Sequence, residues 1–98
     1  MTKEFVFHEF NENLRILMQH IDAMNKIINA LISQLDSQAY LNNEKRIIQY
    51  LPYKSQAKEY LEMTRLKIKR NLIKAQEQLT LAESKLRTLE DQINKNRV

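Results

Sequence analysis

The sequence predicts an all-α protein: an antiparallel helical hairpin of two long heptad-patterned helices, coiled-coil-like, with a short third helix near the turn. Three observations predict it. Two runs of apolar residues repeat at alternating three- and four-residue steps over most of the chain. The only proline, Pro52, falls between those runs. Glycine is absent from all 98 residues, where average usage would give about seven. That absence argues against sandwiches, barrels and doubly wound sheets, which need many tight turns. It also removes glycine-rich phosphate loops and dinucleotide fingerprints. The length suits one helical domain over residues 1–98.

The first helix is expected over about residues 3–36. Phe7, Phe10, Leu14, Leu17, Ile21, Met24, Ile28, Leu31 and Leu35 form an unbroken heptad line. A helix of that length spans about 50 Å at 1.5 Å per residue. Val6, Met18, Ile27 and Ile32 flank the line and widen it. A wide apolar stripe suits more than one neighbour.

The connector runs from Asp36 to Lys54, with Asp36-Ser37, Asn42-Asn43 and Pro52 as its breakers. A short helix is expected over about 44–51, with Ile47, Ile48 and Leu51 on one side. Pro52 ends it, because proline disfavours helix at the preceding residue and donates no backbone hydrogen bond.

The last helix is expected from about Ser55, read as an N-cap, to about Asn94. Leu61, Arg65, Ile68, Leu72, Ala75, Leu79, Ala82, Leu86, Leu89 and Ile93 make its heptad line, in which only Arg65 is not apolar. Ala75 and Ala82 permit close approach of another helix. Arg65 is expected to extend its charge to solvent near the turn, or to pair with an acid of the first helix or of another chain. A second apolar line, Tyr60, Met63, Leu66 and Ile73, lies away from the seam. Geometry favours covering it with Ile47, Ile48 and Leu51 of the short helix. The sharper reading makes these seven residues a partner interface.

Chemistry-bearing constellations are missing. There is no cysteine, hence no disulfide, thiolate metal site or cysteine nucleophile. His8 and His20 stand twelve residues apart, about 18 Å along a helix. The pairs Glu9/Glu12 and Glu59/Glu62 sit on what reads as solvated helix faces, and general acid–base work needs a shielded pocket. No serine has the glycine-bounded context of a nucleophile elbow. No catalytic residue, cofactor, metal site or small-molecule substrate is therefore expected.

Charge is uneven. Residues 1–36 hold three basic and five acidic side chains, whereas residues 45–74 hold nine basic and two acidic. Lys67, Arg70 and Lys74 share a helical face, with Lys69 and Arg46 nearby and Tyr50, Tyr53 and Tyr60 interspersed. Cations next to aromatic rings suit phosphates and stacked bases. No apolar run approaches the roughly 20 residues needed to span a bilayer. The first ten residues lack a signal-peptide pattern, so a cytoplasmic location is expected.

In outline, a long helix, a short connector and a longer helix, the chain resembles helical-hairpin chaperones such as prefoldin subunits. It departs from them between Asn42 and Tyr53, where no glycine is available for their connector β-hairpin. The resemblance implies architecture alone. The expected function is a non-enzymatic protein–protein interaction module: an oligomeric scaffold, adaptor or chaperone-like subunit, as homodimer or hetero-oligomer. The alternative is a small nucleic-acid-binding regulator acting through the 45–74 stretch.

Overall fold

A computed structural model describes residues 2–97. They form three helices and no strand: α1 (Lys3–Leu35), α2 (Gln38–Ile48) and α3 (Lys54–Lys95). The chain packs as two compact units. One joins residues up to Lys26 with those from Gln76 onward; the other is Ile27–Ala75.

In the first unit, the early part of α1 meets the late part of α3. The Asn11 side-chain amide donates to the Asn94 side-chain oxygen at 3.0 Å, and the Arg97 guanidinium donates to the Glu4 carboxylate. Lys3 and Arg97 both lie within 6 Å of the Phe7 ring centre, at 5.8 and 5.7 Å, in cation–π geometry. The buried apolar side chains of this unit are Leu14, Met18 and Ile21. α3 supplies half-buried Leu79, Ala82, Leu86 and Ile93, and no side chain of α3 is fully buried.

In the second unit, α2 begins six residues earlier than the sequence predicts. Ser37 is its N-cap: the hydroxyl accepts from the Tyr40 backbone N–H at 3.2 Å and donates to the Gln34 carbonyl at 2.7 Å. One hydroxyl thereby serves the end of α1 and the start of α2. Asn42 and Asn43 do not break the chain. They lie within α2, where Asn42 accepts a side-chain hydrogen bond from Gln38 one turn earlier. α2 also stops earlier than predicted, at Ile48. Three i→i+3 bonds, onto the carbonyls of Arg46, Ile47 and Ile48, tighten its exit ahead of Pro52.

Ser55 is not the cap of α3 but lies inside it. The Tyr53 carbonyl accepts the first turn's bond, from the Ala57 N–H at 3.0 Å. Tyr53 itself has φ 54°, the left-handed region that glycine usually occupies. A glycine-free chain meets that requirement with a tyrosine, at a cost of roughly 1–2 kcal/mol.

The heptad lines are only half covered. Along α1 the column Phe7, Leu14, Ile21, Ile28 and Leu35 is buried or half-buried, as the pattern predicts. Its second members differ. Met18 is 8% exposed, whereas its neighbour Leu17, on the predicted line, is 49% exposed. The covered row is Asn11, Met18, Asn25 and Ile32; Leu17, Met24 and Leu31 are exposed. α3 makes the same one-residue shift. Lys69, Gln76, Glu83 and Glu90 are half-buried, whereas Ile68, Ala75 and Leu89 of the predicted line are exposed.

Arg65 neither pairs with α1 nor extends to solvent. Its Nε donates to both carboxylate oxygens of Glu44 on α2, at 3.1 and 3.3 Å. The two side chains keep only 16% and 10% of their surface. Glu44 is the only acid between residues 37 and 58. Lys69 adds a more exposed pair with Asp36 at 2.7 Å, of the kind worth about 0–1 kcal/mol. Removing one partner of a shielded pair strands the other's charge. Glu44→Ala is expected to lower stability in urea by about 3 kcal/mol, and Glu44→Leu with Arg65→Met by much less. A double-mutant cycle checks it; equal losses from the single and double variants would contradict this role for the pair.

Candidate functional site

Titratable groups converge in an open cleft around Glu44 and Arg65, with Lys45, Lys58 and Glu62 on its wall. Glu4 and Glu12 are held below the ordinary carboxylate value by hydrogen bonds from Arg97 and Arg15, reinforced by those charges. Glu83 is lowered by its hydrogen bond from Arg87, against a smaller opposing effect of burial, and is within hydrogen-bonding reach of Asp22. These are ion pairs on helix surfaces. Among the described residues, no three side chains of His, Asp or Glu lie together as a metal site. No described helix is long and apolar enough to cross a membrane.

The notable site is an open apolar surface, and it follows from the half-covered seams. Residues seven apart on a helix share a face, and the +3 and +4 positions flank it on opposite sides. On α3 the +4 flank is polar: Lys69, Gln76, Glu83 and Glu90. On α1 the +4 flank carries Asn11 and Asn25. These flanks are the covered ones, and in one unit an Asp36–Lys69 ion pair joins the helices. The +3 flanks are apolar, and Leu17, Met24, Leu31, Ile68, Ala75 and Leu89 on them are exposed.

Each unit has a groove along this open side. In the second unit Leu31, Leu35, Ile68 and Leu72 line one, closed at the end by Tyr40 and Gln34. In the first unit Val6, Phe7, Phe10 and Ile93 line another, without a polar atom at its wall. The open side of α1 is also free of formal charge. Between Phe10 and Leu35 its charged residues are Glu12, Arg15, Asp22 and Lys26, all on the far side of the helix. The exposed face holds Ile16, Leu17, Met24, Ile27 and Leu31.

The sequence-predicted interface fares differently. Tyr60, Met63, Leu66, Ile73 and Ile47 are exposed, and Ile48 and Leu51 are half-buried. The short helix does not cover the Tyr60–Ile73 line. Its inward residues are Tyr40, Leu41, Glu44 and Ile48, and the Glu44–Arg65 pair fixes α2 on another face of α3. Leu41, Ile48, Lys58 and Glu62 line the cleft around that pair. The line is therefore open, but Lys67, Arg70 and Lys74 stand among its residues, unlike the charge-free face of α1.

The basic stretch is divided. Arg65 and Lys69 are committed to Glu44 and Asp36. Lys67, Arg70, Lys74 and Arg46 are exposed. Tyr50 and Tyr53 keep 83% and 78% of their surface. No protein-family model, characterised protein or solved structure matches the chain.

Proposed function

We propose that this protein is a non-enzymatic interaction module: an antiparallel, coiled-coil-like helical hairpin that holds a helical partner on its open apolar side, as a scaffold, adaptor or chaperone-like subunit. Support for the hairpin comes from the order of side-chain pairs. Positions 4, 11 and 22 of α1 meet positions 97, 94 and 83 of α3, so one number rises as the other falls.

One observation carries the functional reading: the chain leaves most of its apolar side chains uncovered. Among the described apolar residues, only Leu14, Met18 and Ile21 are buried. The accessible surface is 7800 Å². A compact monomer of this 11.8 kDa mass would expose about 5,900 Å². Large apolar side chains, among them Leu17, Met24, Ile27 and Leu31, are exposed, and contiguous apolar surface marks an interaction site. A helix laid in a groove beside Leu31 and Ile68 would cover it through i, i+3, i+4 anchors.

Photo-crosslinking in cells tests the reading. A benzoylphenylalanine at position 17 is expected to form covalent adducts with a polypeptide, and one at Gln19, on the charged side, is not. Absence of any protein adduct from position 17 would contradict the module.

A second reading rests on exposed Tyr60 and the cations Lys67, Arg70 and Lys74 further along the same face of α3, with exposed Tyr50 and Tyr53 ahead of the helix. Cations and free aromatic faces together suit single-stranded nucleic acid. That reading predicts binding which weakens steeply with salt. Replacing the three cations with alanine would reduce the slope of log affinity against log salt by about two. No retention on heparin or single-stranded DNA at low salt removes it.

A further inference from the structure

We infer that the partner on the open side of α1 is a second copy of this chain, forming a two-fold dimer; this rests on the interaction-module reading above.

The first ground is area. The surface excess over a compact monomer is about 1,900 Å². Obligate homodimers bury about 2,000–5,000 Å² in total, or roughly 1,000–2,500 Å² per copy. One copy of the same chain therefore has the size to cover what is open.

The second ground is composition. Buried interface cores are depleted of charge. The exposed face of α1 carries Ile16, Leu17, Met24, Ile27 and Leu31 and no charged residue between Phe10 and Leu35.

The third ground is self-complementarity, which points to a copy rather than to an unrelated helix. The row of α1 that faces out is large: half-buried Phe10, then exposed Leu17, Met24 and Leu31. The matching row of α3 is small at its middle, where Ala75 is exposed and Ala82 half-buried. Large side chains of one copy seat over the alanines of the other, which is the match an isologous two-fold interface requires. Charge sets the pairing. The Ile27–Ala75 unit has nine basic and four acidic side chains, and the other unit has seven basic and eight acidic. Pairing each basic unit with the weakly acidic unit of the other copy is favoured over pairing the two basic units.

Light scattering on the purified full chain tests the inference. The expected mass at high micromolar concentration is about 24 kDa, two copies of 11.8 kDa. Leu17→Lys with Met24→Lys is expected to raise the dimer dissociation constant more than about a hundredfold, giving monomer. Both positions are exposed within one chain, so circular dichroism should show the helices retained. Gln19→Lys, on the charged side, should leave the dimer intact. A wild-type chain that is folded and monomeric at high micromolar concentration overturns the inference. So does a double-lysine variant that remains dimeric, or a Gln19→Lys variant that dissociates equally. A monomeric chain whose position 17 crosslinks to a different polypeptide in cells overturns the second copy and leaves the module standing. A monomer with no protein adduct at position 17 overturns both.

Discussion

The structure depends on one constraint: α1 has more apolar circumference than the rest of the chain covers. Its central column, Phe7 to Leu35, can face only one way, and two rows compete for the covered place beside it. One row is wholly apolar: Phe10, Leu17, Met24, Leu31. The other contains two asparagines. Hydrophobic burial alone, at roughly 25 cal/mol per Å², would favour covering the first. The chain covers the second.

The charges of α3 account for that choice. Its polar flank, Lys69 through Glu90, must stay hydrated or find partners. Turned toward α1, its Lys69 pairs with Asp36 at 2.7 Å, while Glu83 keeps its bond from Arg87 on the same helix. Turned outward with the apolar rows covered, it would leave those groups solvated and the exposed surface uniformly polar, as in a self-sufficient monomer. The observed arrangement costs some burial. The oxygens of Asn11 and Asn25 are buried without a hydrogen-bond partner, and each such group costs about 1–3 kcal/mol. That cost is offset if the apolar flank is itself covered by another helix layer. In coiled coils, seam asparagines similarly sacrifice stability for register. The polar side thus faces inward within the chain, and the apolar side is left exposed.

Periodicity made the helices and the shared columns legible from sequence alone. α1 ends within one residue of its expected limit. The one-residue shift of the covered rows was not legible, because the wholly apolar row Phe10, Leu17, Met24 and Leu31 reads as the better seam than one holding two asparagines. The Lys69–Asp36 pair marks the covered side only once the chain is folded. The early onset of α2 was hidden by Asn42-Asn43, which read as breakers although the Ser37 cap already starts a helix before them. Glu44 was the signal available for Arg65: the single acid near the turn, opposite the single charge in the α3 seam. The fold-back of Ile47 and Leu51 over Tyr60 and Met63 failed because that ion pair sets which side of α2 faces α3. The left-handed Tyr53 had no sequence signal at all, since glycine is the residue that usually announces it.

Thiol reactivity along α1 tests the central claim most directly. The chain has no cysteine, so single cysteines at positions 17 and 18 report on adjacent rows without background. They would be labelled at concentrations too low for self-association. Cysteine at 17 is predicted to react nearly as fast as in an unfolded peptide, and cysteine at 18 many times more slowly. Equal rates, or a protected position 17 beside a reactive position 18, would contradict the open apolar side.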